Sequence, residues 1–290
     1  MSKRKIGTLV FLAPAVVLVT VFVYMFLAQS IHMSFTNLRF GRVATWIGLG
    51  NYIRMFTRDA AFQTSLLNTL KLTAVFIGLT IPLGLFLAIL LDLGVKAKGL
   101  FRTIFLIPLS FSFVASSVMW VWAFLPETGT INTILRAIGL SSLAQPWISS
   151  GSQSLLSVAL VYIWQFSGFA TLVYYTGISS VDPAIIEAAG IDGASTWRKY
   201  WHIVIPQLKP ATVTVLILTL MYSLKCFDLV WMMTGGGPGY SSEVLATFMY
   251  KVTFSQSKFG YGASIGVVLL LLSVVVVAAF MIYMKRGERD

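Results

Sequence analysis

DPAIIEAAGIDGASTWRKYWHIVIPQLKP, residues 182–210, is the longest polar interruption in the second half of the chain, and it lies between two long apolar runs. Asp182 is placed to cap a helix whose first position is Pro183, because an aspartate accepts orphan N–H groups and proline has none to leave unsatisfied. Ala184, Glu187, Ala188 and Ala189 extend that helix, and Gly190 and Gly193 allow a sharp break. Ala194–Val204 suits a second helix that must stop near Pro206. Small residues on one side permit close approach to a partner, while Glu187, Asp192, Arg198 and Lys199 leave charge at the contact. Two short helices joined at glycines make a docking hook. The rival reading is a capped turn on the membrane surface with no partner.

Moving outward, composition decides the class. Of 290 residues 57% are hydrophobic and only 11% charged, with a mean hydropathy of +0.85. A soluble domain carries roughly 25% charged residues, so a polytopic membrane protein is expected. The net charge of +11 does not point to nucleic acid, because the basic residues sit largely beside apolar runs, as on the cytoplasmic face of a bilayer. The single cysteine, Cys226, excludes an intramolecular disulfide, and its apolar setting suits a buried thiol. His32 and His202 stand far apart with no cysteine cluster, which gives a metal site little support.

Six crossings are expected. Ser2–Lys5 supplies three positive charges, and Leu9–Leu27 follows, long enough for a hydrocarbon core of about 30 Å. A signal peptide shares that pattern, but this run exceeds its usual apolar length and Ala28–Phe35 makes a weak cleavage site, so a retained helix is expected. Ile31–Asn68 reads as a partly helical external segment. The second crossing is Thr69–Leu91, with Pro82 tolerated inside the membrane, and Asp92–Arg102 returns basic residues to the first side. Thr103–Leu125 is the third, in which Pro108 should bend the helix. Pro126–Ser154 is external, Leu155–Gly177 is the fourth crossing, and Ala211–Thr234 is the fifth. Gly235–Gly239 must then turn, Ser241–Lys258 is external, and Tyr261–Tyr283 makes the sixth crossing. Both termini then share a side that holds Lys3–Lys5, Lys96, Lys98, Arg102, Arg198, Lys199, Lys209, Lys285, Arg286 and Arg289, a modest positive-inside bias diluted by four arginines in the first external segment. A five-crossing alternative leaves an apolar run without a place.

The chain contains no GxxxxGK[ST] phosphate loop, so any ATP consumed must be bound by another subunit. Lys225 and Asp228 are unusual inside an apolar run. Their spacing of three predicts proximity on one helix face, turned toward protein or a water-filled cavity because lipid exposure is costly. A membrane enzyme centred on this pair is a rival reading, but without a nucleophile, metal cluster or cofactor motif the pair defines no reaction. A scaffold subunit without a transport path is another.

Glu187-Ala188-Ala189, Gly193 and the Ile205-Pro206 ending resemble the EAA loop of binding-protein-dependent ABC importers, with Gly190 where members vary. Asn51-Tyr52 and the Gly129–Asn132 turn resemble the sugar-importer permeases of maltose type. Phe227-Asp228 followed by Thr234-Gly235-Gly236-Gly237-Pro238 looks like their F-type subunit. The resemblance covers about Leu9–Tyr283 and implies an all-α, six-helix type I ABC importer permease in a bacterial or archaeal inner or plasma membrane, with both termini cytoplasmic. It divides the chain into an N-terminal helix and external segment (1–68), a permease core (69–283) containing the coupling loop 182–210, and a tail (284–290). The implied partners are a second permease, two ATPase subunits that carry ATP and Mg²⁺, an extracytoplasmic solute-binding protein, a sugar or related cargo and membrane lipid; this chain itself needs no cofactor. Glu187, Ala188, Ala189, Gly190, Asp192 and Gly193 are the expected ATPase contact. Trp164, Gln165, Tyr222, Ser223 and Asp228 are the expected cargo contacts, since aromatic faces stack on sugar faces while amide, hydroxyl and carboxylate groups satisfy sugar hydroxyls.

Overall fold

The computed structural model describes residues 3–94 and 98–287; Ser2, Lys96 and tail residues 288–290 lie outside the described residues. In chain order the helices begin with α1 (Lys3–Val19), which continues through a π segment (Thr20–Met25) into α2 (Phe26–Ser34). Then come α3 (Gly50–Thr57), α4 (Ala60–Asp92), α5 (Lys98–Ser110), α6 (Phe113–Ala123), α7 (Thr130–Ala137) and α8 (Ser154–Ser179). The hook holds α9 (Pro183–Ile191), α10 (Thr196–Lys199), a π segment (Tyr200–Val204) and α11 (Ile205–Gln207). The chain finishes with α12 (Lys209–Leu224), α13 (Asp228–Met233), α14 (Leu245–Tyr250), a π segment (Lys251–Ser255) and α15 (Phe259–Gly287).

Among the described residues four helices are long and apolar enough to cross a membrane: Phe11–Ser34, Ala60–Asp92, Ser154–Ser179 and Phe259–Ala278. Two bent pairs bring the number to six if each is one span: Gly99–Ser110 with Phe113–Ala123, bent by 101°, and Thr196–Gln207 with Lys209–Leu224, bent by 64°. The chain is thus an all-α, multi-spanning membrane protein. Two compact units are present, one made of residues up to Gln63 and from Phe248 onward, the other of Thr64–Thr247.

Two expected crossings need correction. Thr103–Leu125 is not one helix. Pro108 itself lies inside α5, which continues past it and stops at Ser110, and Ser112 restarts the helix as an extended N-cap whose Oγ accepts from the Ala115 N–H at 3.1 Å. Ala211–Thr234 is interrupted as well, since α12 ends at Leu224 and α13 starts only at Asp228. Lys225 and Asp228 therefore flank a break instead of sharing a helix face. Each charge suits its end: a cation at the C-terminus of α12 and an anion in the first turn of α13 complement the helix dipoles. Pro82 likewise lies inside its helix, and α4 runs on unbroken to Asp92.

Within the second unit, α5 and α12 pack on α8, and α13 packs on α6. The α5–α8 crossing is backbone-tight: a Cβ on Gly168 would fall 1.7 Å from the Phe105 carbonyl oxygen. Small residues permit such approaches in membranes, where close packing replaces the hydrophobic drive. A buried cluster including Ala88 of α4, Ala170 and Tyr174 of α8, Val204 and Leu208 of the hook and Val215 of α12 ties the hook to the spanning helices.

Several motif residues of the sequence prove to be frame. Asn51 Nδ2 donates to the Ser34 and Thr36 carbonyls, both at 2.8 Å, and the Tyr52 hydroxyl lies 2.7 Å from Ser34 Oγ. Asn132 donates to the Pro126 and Gln145 carbonyls at 2.9 and 3.0 Å and accepts from Trp147 Nε1 at 2.8 Å.

Gly168→Ala must push α5 from α8 and should lower the melting temperature of the detergent-purified protein, at an overpacking cost of about 1–3 kcal/mol. Gly78→Ala, in the same class of helix but with nothing within 4 Å of the added carbon, should leave it unchanged or raise it. Equal melting temperatures for the two variants would contradict the α5–α8 contact.

Candidate functional site: a cavity at two helix breaks and a surface hook

The two breaks meet. A cavity of about 370 Å³ is lined by the α5–α6 turn (Leu109 and Phe111–Val114), by Gln165 and Phe166 of α8, by Tyr222 of α12 and by Asp228 of α13. Its wall is aromatic. Tyr222 packs on Phe166 with ring centroids 4.7 Å apart and edge-on to Phe113 at 6.0 Å, while Phe113 stacks on Phe166 at 6.3 Å. Its edge is polar. Buried Gln165 donates from Nε2 to the Phe111 carbonyl at 2.9 Å, satisfying backbone freed by the break, and its Oε1 has no partner. The carboxylate of Asp228 is exposed.

Of the five expected cargo residues, Gln165, Tyr222 and Asp228 line this cavity. Trp164 stands beside it, stacked on Phe111 at 6.4 Å and edge-on to Trp120 at 5.4 Å. Ser223 is buried behind it, accepting from Thr73 Oγ1 at 3.0 Å and donating to the Leu220 carbonyl at 2.9 Å, which joins α12 to α4. Phe111, Phe113 and Phe166 were missed by sequence reasoning. Pro108 followed by Ser112, a helix breaker and then a cap, was the signal that would have found the first two.

The hook forms as two helical arms. Asp182 caps α9 by accepting from the Ala184 N–H at 2.9 Å. The turn comes at Gly193, whose φ of +78° is the left-handed region that favours glycine. Gly190 stays inside α9, where a Cβ would come within 2.8 Å of Lys199 Nζ. Glu187, Ala188, Gly190, Asp192 and Gly193 are exposed, Ala189 is half-buried, and Ile191, Trp197 and Trp201 add large exposed apolar groups. Opposite this surface the hook is anchored inward: the Tyr200 hydroxyl donates to Asp92 Oδ2 at the end of α4. Tyr174 of α8 donates to Thr212 Oγ1 at 3.1 Å.

Residues 80–287 match the family described as the binding-protein-dependent transport system inner membrane component. The chain belongs to this family. A probable ABC transporter permease protein of Pyrococcus horikoshii is 40% identical over 282 residues, covering 97% of this chain and 96% of that one. The xylose/arabinose import permease protein XacH of Haloferax volcanii is 35% identical over 243 residues, covering 83% and 76%. A crystal structure of a bacterial ABC transporter involved in the import of the acidic polysaccharide alginate has the same fold, with a TM-score of 0.85 at 22% identity over 98% of this chain and 96% of that one. This chain is a non-catalytic ABC permease subunit with the type I importer permease fold.

In this permease Tyr200→Phe removes a hydrogen bond to a charged acceptor, a contact worth about 1.5–3 kcal/mol. The variant should assemble but show a lower melting temperature and less transport per ATP hydrolysed. Unchanged values for both would remove the anchoring role from Tyr200.

Proposed function

We propose that this permease forms the translocation path of an ATP-driven, binding-protein-dependent importer for a sugar or related carbohydrate, paired with a second permease of the same family. The observation that carries the reading is the cavity at the two breaks, an aromatic wall with an amide and a carboxylate at its edge. Its size falls within the roughly 300–1,000 Å³ of small-molecule sites, and its chemistry suits a hydroxylated solute: Tyr222, Phe113 and Phe166 offer faces to the apolar side of a pyranose or furanose ring, and Gln165 Oε1 and Asp228 accept from hydroxyls. Trp164 backs the wall through Phe111, and Ser223 holds α12 in register. The carbohydrate class draws further support from the Haloferax relative, a xylose/arabinose import permease. The assignment as an F-type subunit of maltose kind rests on Phe227-Asp228 and Thr234–Pro238 alone.

ATP and Mg²⁺ belong to two separate ATPase subunits, which take the hook, an EAA loop, through Glu187, Ala188, Ala189, Gly190, Asp192 and Gly193. The extracytoplasmic binding protein delivers cargo to the other face. The positive flanks favour cytoplasmic termini in a bacterial or archaeal inner or plasma membrane. Both α8 and α12 run from the hook cluster to the cavity wall, Tyr174 to Gln165 on one and Val215 to Tyr222 on the other, so movement of the hook reaches the cavity through two packed helices.

In the assembled complex, Asp228→Asn should cut uptake at sub-saturating cargo by about tenfold, the worth of one hydrogen bond of about 1.4 kcal/mol, with assembly intact, and Gln165→Leu, which also leaves the Phe111 carbonyl without its donor, should cut uptake at least as far and lower the melting temperature. Uptake kinetics unchanged in both would refute the cavity as the path. Ala188→Trp should abolish ATPase assembly or cargo-stimulated ATP hydrolysis; normal values for both would refute the docking surface.

A further inference from the structure

The loop after the first span is a built element. An antiparallel bridge joins Thr36 to Trp46, the Asn37 N–H donates to the Thr45 carbonyl at 3.0 Å, and the Ile47 N–H donates to the Phe35 carbonyl at 2.9 Å. Its tip is strapped to the start of α15, with the Phe40 N–H donating to the Ser257 carbonyl at 3.2 Å and the Gly260 N–H to the Leu38 carbonyl at 3.0 Å. That frame holds Arg39-Phe40-Gly41-Arg42-Val43 outward. Phe40 is 79% and Val43 89% exposed, and both arginines are exposed. Beside the tip an open cavity of about 580 Å³ is walled by Met33, Leu38 and Phe259 and by the tip itself, and no acidic residue lines it.

The level of this cavity is set by two spans. Phe11–Ser34 ends immediately before the loop and Phe259–Ala278 begins at its wall, which puts the tip at the shared end of two helices long and apolar enough to cross a membrane. Bulk water leaves Phe40 and Val43 without apolar contact, and hydrocarbon leaves two guanidinium groups without a counter-charge. The headgroup layer satisfies both, because apolar side chains reach the acyl boundary while arginines bind phosphate through paired N–H donors. We propose that this tip and cavity bind the phosphate headgroup of an acidic phospholipid in the leaflet where the first span ends, with Phe40 and Val43 entering the acyl boundary. A lipid fits better than a protein partner because the charged and apolar groups alternate at the end of two spans, beside a wall of apolar side chains. The inference is independent of the cargo assigned above.

The test is native mass spectrometry of the assembled complex titrated with phosphatidylglycerol, phosphatidylcholine or soluble glycerol phosphate. At about fivefold per basic residue near an anionic surface, Arg39→Gln/Arg42→Gln should weaken phosphatidylglycerol binding by about 25-fold and leave phosphatidylcholine binding unchanged. Arg39→Lys/Arg42→Lys, which keeps the charge but loses the paired N–H donors, should bind phosphatidylglycerol less tightly than wild type and more tightly than the glutamine pair. Should the glutamine pair fail to assemble, Phe40→Ser/Val43→Ser is compared with wild type and should bind phosphatidylglycerol more weakly. Equal phosphatidylglycerol binding by wild type and the substituted proteins overturns the proposal, as does equal wild-type affinity for the two lipids. Full competition by glycerol phosphate assigns the site to a free phosphate. Lost affinity for the solute-binding protein with lipid binding intact assigns it to a protein. Either result also overturns the proposal.

Discussion

A peptide N–H or C=O inside a bilayer has no water to bond, so backbone that leaves the helix at membrane depth must be satisfied by protein or must line a cavity. That constraint organises the second unit. Gln165 reaches from α8 to the Phe111 carbonyl at the α5–α6 break, and Asp228 opens α13 after the break at residues 225–227. Each interruption is costly by itself. Placed around one cavity, the two turn polar groups into that cavity instead of toward lipid, and the aromatic rings of Phe113, Phe166 and Tyr222 close the remaining wall.

The hook depends on the same helices from the other end. Its outward face carries exposed alanines, Glu187 and large apolar groups, while Val204 and Leu208 are buried against α8 and Tyr200 is bonded to Asp92 at the end of α4. A surface this apolar outside and this well packed inside suits a lever between a partner subunit and the spanning helices. The tightness of α5 on α8 at Gly168 matters for the same reason, since a packed crossing transmits displacement where a loose one absorbs it.

Much of this was legible in the sequence, and the remainder was hidden for physical reasons. Apolar length identified the uninterrupted spans, because twenty apolar residues have few other uses. The hook was readable from Asp182-Pro183 and Gly193, whose roles are local. Apolar length could not reveal the breaks, since Thr103–Leu125 and Ala211–Thr234 are each long and largely apolar whether straight or bent. The bend expected in the crossing that holds Pro108 is present as a full break between Ser110 and Phe113, and Pro82 is tolerated inside α4 as expected. Lys225 and Asp228 were recognised as meaningful, but their spacing suggested a shared helix face where the chain instead stops and restarts. Gln165 and Tyr222 were found as polar and aromatic candidates; Phe113 and Phe166 were not, because a phenylalanine in a membrane span carries no mark of what it faces.

The central claim, that both breaks open on a water-filled path used by cargo, is tested most directly by thiol accessibility in native membranes. In a Cys226→Ser background, Phe111→Cys, Gln165→Cys and Asp228→Cys are treated with a membrane-impermeant methanethiosulfonate, with and without cargo-loaded binding protein and ATP. The account predicts reaction at all three positions and protection by cargo. Reaction only with a lipid-phase reagent, or water-phase reaction that cargo never alters, would contradict it.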